Sequence, residues 1–274
     1  MVKITASEVN KLRKSTGAGM MDCKNALVEA NGDFNSAIEI LRKKGQKVAA
    51  KRADRESSEG VAIAISNEDS STGVGIVLAC ETDFVGKNAD FIDLAHKIAK
   101  LGLNCNSKEE LLGSSFGDIT VEEKLVEQTG VIGEKIQIND FVRIDSSYIG
   151  TYIHAGNKIS SLVGFSKKSN NIEVAGKDIA MQVAAMNPIA LDENNVDAKI
   201  IEKEIEISKD QLRAEGKPED MLDKIAQGKL KRFFKDNTLV HQSFIKDNKL
   251  SVSQYLSSFE SDLKITSFKR VSIG

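Results

Sequence analysis

An acidic and an aromatic residue stand side by side where an apolar run of the sequence ends. Residues 77–80 are apolar and typical of a buried strand, and the more polar segment 81–88 follows them. Asp83 can accept a hydrogen bond or supply a charge, and Phe84 can insert into a partner as an apolar wedge. In the alternative interpretation, Phe84 packs on the next helix and Asp83 caps that helix. These residues alone leave both interpretations open.

Motifs for nucleotide binding and for catalysis are incomplete in this sequence. Gly17 and Gly19 lack the downstream Gly-Lys-Ser/Thr of a phosphate-binding loop, and they fall between two predicted helices. Gly73 and Gly75 open a predicted strand, which is the wrong context for a dinucleotide-binding turn. A serine nucleophile elbow and the HExxH pattern of zinc proteases are both missing. We therefore expect no catalytic residues and no cofactor.

The cysteines and histidines are too scattered for a metal centre. They are Cys23, Cys80, Cys105, His96, His154 and His241. The spacing forms no CxxC and no pattern of metal ligands. An odd number of widely separated cysteines suits a reducing compartment and argues against a disulfide framework. We expect no bound metal.

Composition and charge exclude several classes of protein. Hydrophobic residues make up 41% of the chain and charged residues 28%, as in folded globular proteins. The 38 basic and 40 acidic residues give a formal charge of −2, without the basic excess typical of nucleic-acid binding. Tryptophan is absent, and no apolar stretch approaches the ~20 residues of a membrane helix. The N-terminus lacks the apolar core of a signal peptide, so we expect a cytoplasmic protein.

Residues 1–55 are predicted to form a small helical domain. Thr5 and Glu8 have the spacing of a capping box, in which each side chain satisfies a free amide at a helix start. Gly17 and Gly32 can end the first and second helices, and Asp33 can cap a third. Apolar residues recur at helical spacing within each of the three segments.

A basic run covers residues 42–55, with seven Lys or Arg residues and one acidic residue. An RNA-binding segment is one interpretation of this run. A solvated helix end and linker is the other, and the lack of interleaved aromatic residues favours it. The polar segment 56–60 that follows predicts a domain boundary.

After Gly60 the apolar pattern changes from helical spacing to the short runs of strands. Predicted strands cover residues 61–65, 74–80, 135–144, 148–154, 159–165 and 263–271, and predicted helices cover residues 88–101, 121–129, 177–186 and 252–259. The blocks 93–101 and 178–186 are similar and each follows a strand pair, although chance similarity of amphipathic helices is an alternative explanation. We predict an α+β core of two related strand–strand–helix subdomains, residues 56–146 and residues 147–191 with 238–274.

Residues 192–237 are predicted to form an antiparallel helical hairpin inserted in this core. Narrow apolar stripes occupy both halves of the segment, at Ile201, Ile205, Leu212, Leu222 and Ile225. Gly216 can end the first helix, and Pro218 suits the first turn of the second. A short loop and narrow stripes are typical of a protruding coiled coil.

Four stretches of the sequence, in this order, resemble the elongation factor Ts family. They are LRKSTGAGMMDCKNAL at 12–27, ETDFV at 81–85, IGE at 132–134 with GTYIH at 150–154, and EKE at 202–204 through GKP at 216–218. Together they cover nearly the whole chain, which makes them more specific than one short motif. The resemblance implies an N-terminal UBA-like three-helix domain, a two-subdomain α+β core and an inserted antiparallel coiled-coil hairpin.

The resemblance also implies a function. Members of this family are non-enzymatic guanine-nucleotide exchange factors, so this chain is expected to bind elongation factor Tu and promote its release of GDP. The residues implied to contact that partner are Met20, Lys24, Thr82, Asp83, Phe84, Val85, Ile132, Gly133, His154 and Ile245. Lys246 departs from the apolar residue expected beside Ile245. No direct binding of nucleotide, nucleic acid or membrane is expected, and homodimerisation is left open. The alternative function is a UBA-type protein–protein adaptor without exchange activity.

Overall fold

The computed structural model describes residues 3–274, and its N-terminal part is a group of packed helices. These are α1 (Ala6–Thr16), α2 (Met20–Glu29) and α3 (Phe34–Lys51). The predicted capping box of Thr5 and Glu8 starts α1, and the Asp33 side chain accepts a hydrogen bond from the Ser36 amide at the start of α3. Leu12, Leu27 and their apolar neighbours form a small core of their own between the helices.

The segment that follows builds one three-stranded antiparallel sheet with helices beside it. Its elements are β1 (Glu59–Ser66), β2 (Thr72–Cys80), α4 (Asp83–Gly86), α5 (Ala89–Gly102), α6 (Lys108–Gly113), β3 (Ser115–Phe116), β4 (Ile119–Thr120), α7 (Val121–Ile132) and β5 (Gln137–Asp145). The sheet order is β1-β2-β5, so β2 is the central strand.

The remainder builds a second three-stranded sheet with a long insertion before its last strand. The elements are β6 (Tyr148–Ile153), β7 (Ile159–Phe165), α8 (Ile172–Met186), a 3₁₀ turn (Glu193–Asn195), α9 (Ala198–Ala214), α10 (Glu219–Asn237), β8 (Ser243–Phe244), β9 (Asp247–Ser251), α11 (Val252–Ser257) and β10 (Ile265–Ser272). The sheet order is β10-β7-β6, and all neighbours are antiparallel. The chain is therefore of mixed α+β class, as predicted.

The two sheets pack face to face, with helices on their outer faces. Strand alternation sends Val61 and Ile63 of β1 toward α5, and it sends Ala62 and Ala64 toward the second sheet. Leu162 of β7 completes the contact between the sheets from the other side. The outer face of the second sheet is covered by α8.

The two sheets share one topology. Each has a hairpin followed by a helix, and each adds a third strand beside the second strand of its hairpin. Within the similar sequence blocks, Ala95 and Ala180 are both fully buried, and so are Ile98 and Val183. A hairpin followed by a helix thus occurs twice in the described residues.

The helix α3 packs closely against α7, which lies beside the first sheet. At the crossing, a Cβ atom added to Gly130 would lie 2.5 Å from the Cα of Gly45. The helix backbones can approach this far because neither residue carries a side chain. The N-terminal helices are thus docked on the first sheet's helices as well as joined to them by the chain.

The insertion forms an antiparallel helix pair, α9 and α10, whose buried seam is narrow. Its buried residues are Ser208, Leu212, Leu222, Ala226 and Leu230. Gly216 lies between the helices with a φ of 74°, in the left-handed region expected of a helix-ending glycine. Backbone hydrogen bonds join residues 189–191 to residues 237–240 and close the base of the pair.

Candidate functional site

The end of β2 places Phe84 in solvent beside Asp83. The Phe84 side chain is 84% exposed, the largest value for a large apolar side chain among residues 3–274. Both residues belong to the single turn α4, which directly follows the strand. The Asp83 carboxylate accepts a hydrogen bond from the Lys87 ammonium group at 2.6 Å. This contact, with the Lys87 charge, holds the pKa of Asp83 below its ordinary value, so the carboxylate is charged at neutral pH.

The structural alternative for this pair is wrong. Phe84 is too exposed to pack on the following helix, α5. Asn88, and not Asp83, caps α5, because the Asn88 side chain accepts a hydrogen bond from the Asp90 amide at 2.8 Å. Asp83 and Phe84 thus lie at the surface in the strand exit, the segment 81–84 that directly follows β2. Neither residue caps α5 or packs on it.

The Glu134 carboxylate holds the backbone that precedes this pair. It accepts hydrogen bonds from the amides of Glu81 at 3.1 Å and Thr82 at 3.0 Å. It also accepts one from the Thr82 hydroxyl group at 2.6 Å. Since Glu134 lies between α7 and β5, these contacts tie the strand exit to a distant part of the chain.

Glu81 makes a second set of contacts, toward the N-terminal helices. The Arg52 guanidinium group donates to both carboxylate oxygens of Glu81, at 2.7 and 2.8 Å. The Lys135 amide donates to the same carboxylate at 2.7 Å, and the Lys135 ammonium group donates to the backbone carbonyls of Ala53 and Arg55. Burial acts to raise the pKa of Glu81, but these donors outweigh it and leave the pKa lowered.

Cys80 lies underneath the strand exit. Its thiol is buried and donates a hydrogen bond to the Thr82 carbonyl at 3.1 Å. Burial raises the pKa of Cys80 to about 11, and the nearby Glu134 charge contributes in the same direction. The thiol is therefore protonated at neutral pH.

The structure brings further predicted residues to the same region. Val85 and Ile132 are partly buried and pack against the core of the first sheet. Both also line a cleft of about 320 Å³ that extends to Gly17 of the N-terminal helices. Gly133 ends α7 with a φ of 81°, a left-handed conformation that favours glycine. Glu134 is the next residue of the chain.

His154 lies on the exposed turn between β6 and β7, in the second sheet. The Tyr152 hydroxyl group is 3.1 Å from His154 Nδ1. Further along this turn, Lys158 pairs with Glu59 and the Asn157 carbonyl accepts from the Ala62 amide at 2.7 Å. Because Glu59 is the strand partner of Cys80, the turn lies beside the strand exit.

Comparison with known proteins decides the family. The model of the family "Elongation factor TS" matches residues 81–274. "Elongation factor Ts" of Christiangramia forsetii is 64% identical over 274 residues, covering 100% of both chains. Proteins of the same name from Flavobacterium psychrophilum and Porphyromonas gingivalis are 60% and 43% identical, and cover 100% and 99% of this chain and 100% and 98% of their own.

The chain belongs to the elongation factor Ts family. This membership confirms the family recognised from the sequence. The region of the chain that the family model matches begins at Glu81, the first residue after β2.

Three of the predicted contact residues lie away from the end of β2. Met20 and Lys24 are exposed on α2, and Met20 is 54% exposed. Ile245 lies in the turn between β8 and β9, where its amide donates to the buried Gln182 side chain at 2.8 Å. Its neighbour Lys246 pairs at 2.5 Å with the buried carboxylate of Asp178, which explains why a lysine is accommodated there.

The two residues that the sequence analysis missed are Glu134 and Arg52. Glu134 stands within the IGE stretch that carried the family resemblance, and this was its one signal. Arg52 belongs to the basic run interpreted as a solvated helix end, but its guanidinium group is committed to Glu81. Neither contact could be inferred locally, since the partners of Glu134 are 52 and 53 residues away in sequence.

Within residues 3–274, no three His, Cys, Asp or Glu side chains are grouped so as to hold a metal ion. Over the same range, no helix combines the length and apolar character needed to cross a membrane. What the strand exit offers is a charged carboxylate and an exposed aromatic ring on a braced backbone.

Proposed function

We propose that this protein is a guanine-nucleotide exchange factor that binds elongation factor Tu and promotes GDP release during translation elongation. The observation that carries the proposal is the exposure of Phe84 beside the charged Asp83, in a chain of this family. The protein acts on a GTPase without performing chemistry itself. It uses no cofactor or metal and binds no nucleotide, nucleic acid or membrane on its own. It works in the cytoplasm.

The proposal follows the thermodynamics of linked binding. A GTPase holds GDP with backbone amides and a metal ion, so release is slow unless this site is deformed. A factor that binds the nucleotide-free form more tightly weakens GDP binding by the same ratio. Moving a population from 1:99 to 99:1 requires about 5.5 kcal/mol of differential affinity. One aromatic side chain cannot supply this energy, so a broad interface is needed.

Five surface regions can share that interface. Met20 and Lys24 on α2 supply affinity, while Thr82, Asp83, Phe84 and Val85 direct part of the binding energy at the nucleotide site. Ile132 and Gly133 at the end of α7, His154 on the β6–β7 turn and Ile245 on the β8–β9 turn extend the contact. An interface of this breadth is expected to bury more than about 2,000 Å².

We propose a domain organisation based on which helices and strands pack together. A UBA-like domain comprises residues 1–55, supported by the separate apolar core of α1, α2 and α3. Residues 56–146 form one core subdomain, and residues 147–191 with 238–274 form the other. Residues 192–237 are a coiled-coil hairpin, supported by the narrow seam of α9 and α10. Homodimerisation through exposed surfaces is compatible with this organisation.

Stopped-flow release of fluorescent GDP from elongation factor Tu tests the function. We expect the full chain to accelerate release in a concentration-dependent and saturable manner. A chain that binds elongation factor Tu but leaves the release rate unchanged is a UBA-type adaptor and not an exchange factor. A chain that neither binds nor accelerates release overturns both assignments.

A further inference from the structure

We infer that Glu134 is a positioning residue that fixes the backbone at Glu81 and Thr82, so that Asp83 and Phe84 are held in one conformation before a partner binds. The inference rests on the proposed exchange function. Its physical basis is the set of hydrogen bonds that one carboxylate accepts from two consecutive amides and a hydroxyl group. Bonds to a charged acceptor are among the stronger hydrogen bonds in proteins.

The displayed turn has little structure of its own to hold it. Helix α4 spans four residues, Asp83–Gly86, and its N-cap residue Thr82 makes no capping bond through its side chain. A single helical turn is unstable in isolation, because few hydrogen bonds offset the order it requires. Phe84 adds no packing, since it lies in solvent. External contacts must therefore determine where this turn points.

Contacts with other parts of the chain hold α4 at both of its ends. On the C-terminal side, Gly86 is buried against Gly60 of β1, where an added Cβ atom would lie 3.2 Å from the Gly60 backbone. On the N-terminal side, the support is Glu134, and the ion pair of Glu81 with Arg52 lies next to it. Loss of Glu134 removes the acceptor of two amides and frees one end of the turn.

A loosened turn affects the exchange step more than the initial binding. Most of the proposed interface lies outside residues 81–84, so affinity survives a change in their order. Deformation of the nucleotide site needs Asp83 and Phe84 at defined positions, and a small misplacement weakens such an effect strongly. A partly unfolded population would instead lower the active concentration and leave the rate at saturation unchanged.

The test compares Glu134→Ala, Glu134→Gln and the control Asp145→Ala with the wild-type chain. Gln keeps an oxygen for the two amides and an NH₂ group for the Thr82 hydroxyl oxygen but lacks the charge, so it should restore part of the function that Ala loses. Asp145 accepts from Thr72 Oγ1 at 2.6 Å at the opposite end of β2, which matches the Glu134 contact to Thr82 in kind. GDP release is measured over a range of factor concentrations for each variant.

We expect Glu134→Ala to lower the saturating release rate by about tenfold or more, as for the loss of one charged hydrogen bond. The half-saturating concentration should change by less than about threefold. Asp145→Ala should stay within about twofold of the wild type in both quantities, and the saturating rate of Glu134→Gln should lie between those of Glu134→Ala and the wild type. Glu134→Ala with a wild-type saturating rate overturns the positioning role alone, whereas an inactive wild-type chain overturns the proposed function.

Cysteine alkylation of the free chain gives a second measure that needs no partner. Cys80 lies under the strand exit, whereas Cys23 lies in the core of the N-terminal helices and Cys105 lies after α5, in the same core of the first sheet as Cys80. In Glu134→Ala we expect faster alkylation of Cys80 alone, as resolved by mass spectrometry. Equal acceleration at all three cysteines indicates general loss of the fold and overturns a specific positioning role.

Discussion

Phe84 is an apolar side chain whose exposure is unfavourable in the free protein. An aromatic ring in water is a common feature of binding surfaces, where a partner removes it from solvent. Its neighbour Asp83 is already paired with Lys87, so a partner group must compete with that ammonium ion. Both side chains of the pair are exposed to solvent, and screening keeps such ion pairs weak. A partner group can therefore displace Lys87 from Asp83 at little cost in free energy.

Replacement of Phe84 by alanine should separate function from stability. We expect saturated GDP release to slow by at least about tenfold, equivalent to about 1.4 kcal/mol of lost interaction. The free energy of unfolding should change by less than about 0.5 kcal/mol, as for other surface substitutions. A core phenylalanine would instead lose about 3–5 kcal/mol. Urea unfolding beside stopped-flow release measures both, and Phe91→Ala, at a buried position of α5, is the contrasting variant.

Asp83→Ala should also slow release while sparing the fold. The helix start that follows is capped by Asn88, so removal of Asp83 leaves that cap intact. Asn88→Ala is the matched comparison, and it should lose about 0.5–2 kcal/mol of stability. If Asp83→Ala loses stability like Asn88→Ala and releases GDP at the wild-type rate, Asp83 has a structural role.

At the scale of elements, local sequence patterns predicted those strand ends and helix caps that depend on neighbouring residues alone. The strand Ile159–Phe165 has the predicted ends, and the caps at Thr5 and Asp33 form as expected. The turn α4 was not predicted, because four residues carry no periodic signal. The short hairpin of β8 and β9 was missed for the same reason.

The sequence predicted the residue types of the candidate site, but it did not predict the contacts that hold their backbone in place. An acid and an aromatic residue after an apolar strand are visible in the sequence. Their display depends on which residue caps α5, and both Asp83 and Asn88 precede that helix within reach of its start. The braces at Glu134 and Arg52 depend on tertiary contacts across 53 and 29 residues, which one sequence does not encode locally.

The contact of α3 with α7 depends on small residues, and Gly130→Ala should disturb it. A Cβ atom there would come within 2.5 Å of Gly45 and force the helices apart. We expect a loss of about 1–3 kcal/mol in the free energy of unfolding, typical of overpacking. Gly228→Ala is the matched control, because Gly228 is also helical but has no atom within 4 Å of an added Cβ. That control should be neutral or stabilising by up to about 1 kcal/mol. Equal effects of the two substitutions would contradict a tight helix contact.

At the scale of the whole molecule, the two sheets share apolar clusters and should unfold together. Ala62 and Val77 of the first sheet pack with Val271 of the second. Ile144 of the first sheet packs with Leu162 of the second in the same way. Such shared burial makes separate unfolding of either sheet unfavourable, since it would expose the other's apolar face. The N-terminal helices are joined to this unit through α7 and Arg52.

The α9–α10 pair should be separable from the rest. Its buried residues pack along their own seam, and the apolar clusters of the two sheets, as far as residues 3–274 describe them, include no residue of either helix. Its base is closed independently by the bridge between Ala190 and Thr238. Replacement of residues 198–235 by a Gly/Ser linker of about ten residues, which spans about 17 Å on average, should therefore leave the core folded.

For this excised chain we expect one cooperative unfolding transition, with a free energy of unfolding within about 2 kcal/mol of the wild type. Because the strand exit and its braces lie on other elements, the saturating rate of GDP release should stay within about twofold of the wild type. Ile179→Ala, at a fully buried position on α8, is the contrast and should lose about 2–5 kcal/mol. Urea unfolding and stopped-flow release on the same preparations check both expectations. A non-cooperative transition in the excised chain would mean that α9 and α10 stabilise the core, and a slowed saturating rate would mean that the pair takes part in nucleotide release.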